Sequence, residues 1–322
     1  RFLKLNLVLY GFAGASGYVL DNLHHILAGR AVLGVAVAGT MTTMSTLTGD
    51  YFSGEARSRF AGIQSLFMSL GAVLFIGLGG LLADLDWRSP FLLYLSAWII
   101  LIPVVVYLEE PRRTAKHGME ENGADRRVPK ATIALLYLIV LLSMVAYYMT
   151  PVQLPFYIRQ LGVESSALAG LVIIASSLAA AFASFSYARL RRHRGFLSIY
   201  AIGFILMAAG YALIALTGDY WLVLGGALLS GLGVGFIFPN GSLWIISLAP
   251  PRYRGRLAGG LTSSIFLGQF LSPIVAQPVV SGFGLGGGFA VMAAALVLLS
   301  ALLYVIRPAV PRAEERAGAG HR

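Results

Sequence analysis

The sequence predicts an all-α integral membrane protein with many crossings, and three observations carry that expectation. Of its 322 residues, 57% are hydrophobic and only 12% charged, about half the charge of an ordinary soluble domain, and the mean hydropathy is +0.78. Apolar runs recur from end to end, each about the 20 residues that cross a bilayer core as a helix. The basic residues, finally, are sorted to one side of those runs. This composition leaves too little polar surface for a soluble fold and too much apolar content for disorder or collagen. Strands of a membrane barrel are excluded because the runs are too long and do not alternate.

Ten helices are expected, at 4–20, 26–48, 61–82, 89–108, 131–157, 166–188, 196–217, 221–248, 257–280 and 288–306. The polar pair Asp21-Asn22 separates the first two. Asp50 and the basic turn Arg57–Arg59 separate the second from the third, and Asp84 to Arg88 precede the fourth. Residues 109–130 then break the pattern, with both signs of charge and few apolar side chains, as a flexible cytoplasmic linker. Beyond it, Arg189–Arg194 closes the sixth helix, Arg252–Arg256 precedes the ninth, and the polar tail 307–322 follows the tenth. The expected organisation is therefore a half-bundle over 1–108, the linker, a six-helix bundle over 131–306 and a cytoplasmic tail.

With Arg1 placed inside, all but three of the 24 Lys and Arg lie on the cytoplasmic side or its membrane edge. Arg88 and Arg159 lie outside, and Arg30 sits within a helix. That bias predicts two cytoplasmic termini. It also accounts for the net charge of +10 through topology and lipid headgroups, with no nucleic-acid partner.

The two sides repeat. A gapless shift of 197 residues lays Arg57, Arg59, Ala61 and Gly62 on Arg254, Arg256, Ala258 and Gly259. It also lays Gly34 on Gly231, and Gly71 on Gly268. Parallel repeats of this kind mark a transporter architecture. Six helices in the second half against four in the first predict two further helices upstream of Arg1, twelve in all.

The residues from Arg30 to Phe91 carry a family resemblance. "GRAVLGVAVAG", an Arg followed four residues later by Gly34, resembles the helix-four motif of the major facilitator superfamily. "TGDYFSGEARSRFAG" resembles its cytoplasmic turn between helices four and five, and "DWRSPFLLYL" its outer turn into helix six. The resemblance covers essentially the whole chain, with residues 1–108 standing for helices three to six. It implies the major facilitator fold, and a position for residue 1 just after the turn between helices two and three. Gly71, Gly79 and Gly80 match part of the helix-five motif of the drug:proton antiporter branch, with Phe75 and Ile76 where that motif has Gly-Pro. The repeat copy keeps Gly268 and Pro273.

Arg30 is the most informative residue. A guanidinium inside a membrane helix costs about 2.5–3.5 kcal/mol on insertion scales, so it faces a cavity or a polar partner. The resemblance implies proton coupling for Arg30; snorkelling to the interface or tying neighbouring carbonyls would be a structural alternative. No expected span holds an Asp or Glu near its middle, so a titrating carboxylate is not visible here. Gly71, Gly79, Gly80, Gly268 and Pro273 read as close helix packing, to which the resemblance adds a gating role. The cytoplasmic gate turns would be Asp50, Arg57, Arg59, Arg254 and Arg256.

Candidates for the substrate cavity are Met41, Met44, Tyr147, Tyr148, Gln153, Asn240 and Trp244, with Gln64 and Gln269 from neighbouring helices. A wall of Met and aromatic side chains with few fixed charges suits a hydrophobic or amphipathic substrate; ordinary interhelical packing would use the same residues. Pro151, Pro155 and Pro239 interrupt helical bonding. His24-His25 has no carboxylate or Cys partner spaced for a metal, and cysteine is absent from the chain. No metal, cofactor or enzymatic activity is expected.

The leading expectation is a monomeric secondary transporter of a bacterial inner membrane, exporting amphipathic small molecules against proton entry. Uptake of a sugar or organic ion is the alternative within transport. A non-transporting receptor or scaffold, or a membrane enzyme centred on the histidines, is the alternative from another class.

Overall fold

The computed structural model describes residues 2–52, 54–108, 129–250 and 253–306, with some side chains between positions 45 and 69 left undescribed. Every regular element among the described residues is helical. The chain divides into two compact units, Arg1–Asn122 and Gly123–Arg322. The expected linker lies outside the described residues except for Pro129 and Lys130, and so does the whole tail.

In the first unit, α1 (Phe2–Val19) leads to α2 (Leu23–Tyr51) and α3 (Gly54–Leu85). A 3-10 segment, Ser89–Leu95, then runs into α4 (Ser96–Tyr107). Asn22 starts α2 by accepting the His24 backbone N–H at 2.8 Å, which satisfies one of the free donors of the first turn. Pro90 stands in the first turn of the 3-10 segment, where a missing N–H costs nothing. Packing is glycine against ring. A Cβ at Gly11, Gly14 or Gly17 of α1 would overlap Trp98, Tyr94 or Phe91 respectively. One glycine per turn thus cuts a groove along α1, and three aromatic rings from the antiparallel neighbour fill it.

The second unit contains α5 (Lys130–Tyr147), α6 (Met149–Gln160), α7 (Ser166–His193), α8 (Phe196–Leu216), α9 (Tyr220–Leu248) and α10 (Arg254–Ile306). Here glycines bring backbones together. A Cβ at Gly226 would come within 2.6 Å of the Gly210 carbonyl of α8, and one at Gly233 within 2.5 Å of that of Gly203. On its other face, Gly231 and Gly235 press on the carbonyls of Ser176 and Ala180 of α7. With α7 and α8 held this close, α9 is the axis of the unit.

Two expected boundaries differ. The run at 131–157 is broken at Tyr148, because Pro151 has no N–H for the Tyr147 carbonyl. The hydroxyl of Tyr211, fully buried on α8, donates instead to the carbonyls of Ala146 (2.7 Å) and Tyr147 (3.3 Å). The third helix, expected from 61, begins at Gly54, so Arg57 and Arg59 stand in its first turns and not in a connecting turn. The runs at 257–280 and 288–306 are two helices, numbered together as α10, that meet at a kink at Gly284, whose φ of 73° suits glycine.

Against ten expected spans, seven helical stretches among the described residues are long and apolar enough to cross a membrane. The difference has three sources. Counted as one stretch, α10 would be about 80 Å long, more than twice a bilayer core. The apolar stretch of α3 counted as a helix is only Leu70–Leu85. The 18 residues of α1 include Lys4 and Asn6.

Candidate substrate cavity

A cavity of 590 Å³ opens inside the first unit, walled by α1, α2, α3 and the 3-10 segment with α4. That volume is in the usual range for a small-molecule site. Leu7 and Tyr10 enter from α1, Phe75 and Gly79 from α3, Phe91 and Tyr94 from the 3-10 segment. From α2 come Thr40 and Arg30, and Arg30 is the single charged residue of the wall among the described residues.

The packing of α1 explains why the rings stand where they do. Gly14 and Gly17 seat Tyr94 and Phe91, and the faces of these rings turn to Arg30. The guanidinium carbon lies 4.6 Å from the Phe91 centroid and 5.2 Å from that of Tyr94. Tyr10 extends the aromatic wall, its ring centroid 5.4 Å from that of Tyr94. Two cation–π contacts stabilise the half-buried charge by about 0.5–2 kcal/mol each, enough to offset much of its insertion cost. Among the described residues, Arg30 has neither a hydrogen-bond acceptor nor an acidic partner.

Of the residues expected to form the site, Arg30 and Gly79 line this cavity. Gly34, one turn beyond Arg30, has nothing within 4 Å of a built Cβ, and Gly71 is equally open. Gly80 is half-buried in α3, Met41 is exposed, and Met44 and Gln64 are half-buried. The other candidates belong to the second unit. Tyr147 and Tyr148 are half-buried at the α5–α6 break and Gln153 is buried in α6. Gln269 and Pro273 are half-buried in α10, and a Cβ at Gly268 would lie 2.5 Å from the Leu141 carbonyl of α5.

Asn240 and Trp244 are fully enclosed. The Asn240 amide donates to the Phe196 carbonyl at 3.0 Å and accepts from the Tyr187 hydroxyl at 3.2 Å, while Trp244 stacks on Phe196 at 5.1 Å. Their environment is the core of the second unit.

Pro239 follows the same logic as Pro151. It leaves the Gly235 carbonyl without its helical donor, and the Ser184 hydroxyl of α7 donates there at 2.8 Å. Of the gate turns, Arg254 is exposed and donates to the Ala249 carbonyl at 3.4 Å, and Arg256 is exposed. The side chains of Asp50, Arg57 and Arg59 lie outside the described residues. His24 and His25 are exposed in the first turn of α2. Sequence reasoning missed Tyr10, Phe91 and Tyr94 as cavity walls.

Comparison with known proteins decides the family. The model of the Major Facilitator Superfamily matches residues 1–196 and again 136–322. The chain belongs to the Major Facilitator Superfamily. Its fold is that of the family's solved members. A POT family transporter crystallised with a thioalcohol-conjugated peptide superposes with a TM-score of 0.76 at 12% identity, over 95% of this chain and 81% of that one.

Among curated members, the chain is 29% identical over 152 residues to a multi-drug resistance efflux pump PmrA homolog of Lactococcus lactis, 46% of this chain and 37% of that protein. It is 19% identical over 277 residues to the quinolone resistance protein NorA of Staphylococcus aureus, 84% of this chain and 71% of that one. It is also 30% identical over 105 residues to sugar transport protein 12 of Arabidopsis thaliana, 32% and 21% of the two chains. The first and last of these alignments cover well under half of the relatives' own lengths. The match places the chain in this superfamily, with seven helical stretches among the described residues long and apolar enough to cross a membrane.

Proposed function

We propose that the protein exports hydrophobic or amphipathic small molecules by alternating access, driven by proton entry. The observation that carries this reading is the 590 Å³ cavity, whose described wall is mainly apolar and aromatic, its polar groups being Arg30 and the hydroxyls of Tyr10, Thr40, Tyr94 and Ser96. Rings and aliphatic side chains accept varied apolar shapes, and a sugar would leave most of its hydroxyls unpaired against them. Likeness to two drug-resistance proteins supports export. Uptake of a sugar or organic ion is the second reading, favoured by the aligned stretch of a sugar transport protein.

In the same proposal the chain makes ten crossings as two parallel repeats of a twelve-helix pattern. Residues 1–108 and 131–306 form the two bundles, 109–130 the linker and 307–322 the tail. Adding 197 to the bounds of α2, 23 and 51, yields 220 and 248, which are the bounds of α9; that coincidence supports the repeat. Gly284 divides α10 at the loop between its two crossings. Both termini would face the cytoplasm of a bacterial cell, with the protein monomeric in the inner membrane. Arg30 and Gly34 would serve coupling, Gly71, Gly79, Gly80, Gly268 and Pro273 the helix contacts that seal or gate, and the other residues expected from sequence the transport path.

The test uses inverted membrane vesicles carrying the protein expressed from its natural start codon. A panel of lipophilic anions, lipophilic cations, lipophilic neutral compounds and sugars is offered with and without an imposed proton gradient. Gradient-dependent accumulation of the amphipathic compounds is the expected outcome, lost on Arg30→Ala at equal protein level. Accumulation of sugars alone would replace export by the uptake reading.

A further inference from the structure

We propose that the cavity of the first unit is an anion site, taking the negative head of an amphipathic molecule on Arg30 and its apolar body against Phe75 and the aromatic wall. This deepens the export reading, and rests on it for the claim that the anion is a transported substrate.

Three observations lead there. Among the described residues, Arg30 is the one charge in the cavity wall, and no Asp or Glu lines it. The guanidinium carbon lies over the Phe91 and Tyr94 rings, and the guanidinium has no hydrogen-bond acceptor among the described residues. The cavity is large enough for a drug-sized apolar body beside the charge.

A cation in such a chamber would be repelled, and a neutral apolar compound would leave the guanidinium desolvated and unpaired, which is costly in low dielectric. An anion answers both needs at once. Carboxylate, sulfonate and phosphate oxygens match the planar fork of N–H groups bidentately. The rings, themselves seated on Gly14 and Gly17, restrict the Arg30 side chain by contact before the ligand arrives, so less ordering is required on binding. The anion could be a soluble amphiphile or a lipid headgroup, which share this chemistry.

The experiment is equilibrium binding to the purified protein in phosphatidylcholine nanodiscs, corrected with protein-free discs. The radiolabelled probes are 4-phenylbutanoate, 4-phenylbutanol and 4-phenylbutylamine, one apolar body with negative, neutral and positive ends. The carboxylate is expected to bind most tightly. Arg30→Gln should weaken it by about ten- to a hundredfold, the usual worth of a charge-assisted pair, while the alcohol changes by less than about threefold. Arg30→Lys, a point charge without the fork, should fall between. Equal carboxylate binding by Arg30→Gln and wild type, or tightest binding of the amine, would overturn the proposal.

Should Arg30→Gln fail to fold, Ala97→Phe fills the cavity with the charge in place. Undiminished carboxylate binding there would overturn the proposal equally. A final arm adds phosphatidylglycerol to the discs. Displacement of the carboxylate from wild type supports the site with a lipid headgroup as its ligand, and undisturbed binding supports it with a soluble amphiphile. Arg30-dependent binding without transport of the carboxylate in vesicles would leave the anion site standing and remove the export reading.

Discussion

The two units solve the same packing problem in opposite ways, and a shift of 197 residues brings the difference to single positions. Arg30 of α2 corresponds to Ala227 of α9, which is fully buried. Leu7, Tyr10 and Thr40, on the cavity wall, correspond to Phe204, Met207 and Ile237, each buried to within 1%. Where the first unit has a chamber, the second has close-packed core. Gly34 stands open while its counterpart Gly231 is wedged on the Ser176 carbonyl, and open Gly71 corresponds to Gly268 against Leu141. The lesson is that one charged residue decides what its surroundings can be. A guanidinium cannot be sealed into a dry core without a partner, whereas alanine at the same place lets a helix close on both neighbours.

The most direct way to break this comparison is to exchange the two residues. Ala227→Arg puts an unpaired charge into filled space, at a cost of about 4 kcal/mol or more. We expect the variant to give little monodisperse protein on gel filtration in detergent. Arg30→Leu, in contrast, should change the thermal unfolding midpoint only slightly, because the two cation–π contacts it loses roughly balance the desolvation it relieves. A well-folded Ala227→Arg protein would mean that the core around α9 is looser than its burial indicates.

A smaller effect sharpens the contrast between the open and closed helix faces. Gly231→Val drives a branched side chain into backbone, which cannot swing aside, and should destabilise by about 3 kcal/mol. Gly34→Val meets open space and should change stability by less than about 1 kcal/mol. Equal losses in detergent-solubilised thermal unfolding would show that something covers the α2 face in the whole protein.

Much of this contrast was legible beforehand, and the part that was not has a physical cause. The Arg30–Gly34 spacing and the 197-residue repeat that pairs α2 with α9 follow from local pattern. The place of Arg30 in a polar-poor chamber follows from the cost of its charge. Asn240 and Trp244 were expected at a cavity and are enclosed, because composition along one helix does not tell which face meets a neighbour. Phe91 and Tyr94 were passed over because aromatic residues at helical spacing ordinarily mean core. The signal was in the partner: glycines at 11, 14 and 17 face Trp98, Tyr94 and Phe91 in reverse order, a complementarity visible only when two segments are read against each other. The division of α10 into two helices was legible too: glycines at 282, 284, 286 and 287 mark the junction, and the kink falls at Gly284.

The smallest expected effect concerns how polar side chains are used. In α2 the hydroxyls of Thr40, Thr42, Thr43, Thr46 and Thr48 donate to carbonyls four residues back in the same helix, which satisfies them without tying α2 to anything. In the second unit, where Ser143, Ser177 and Ser264 also bond within their own helices, other hydroxyls reach across helices: Ser272 to the Val145 carbonyl at 2.8 Å, Ser300 to that of Ala201 at 3.1 Å, and Tyr211 to that of Ala146. Tyr211→Phe keeps the ring and its edge-on packing against Phe289 but strips the donor from the α5–α6 break. Cross-helix hydrogen bonds within membranes are worth about 0.6 kcal/mol on average and up to about 1.7. The buried Ala146 and Tyr147 carbonyls, already deprived of one helical donor by Pro151, place this one near the upper end. Thr42→Val, which removes a bond internal to α2, should cost almost nothing by the same thermal measurement. If the two variants lose stability alike, the hydroxyls of the second unit are no more part of its architecture than those of α2, and the break at Tyr148 is held by ring packing alone.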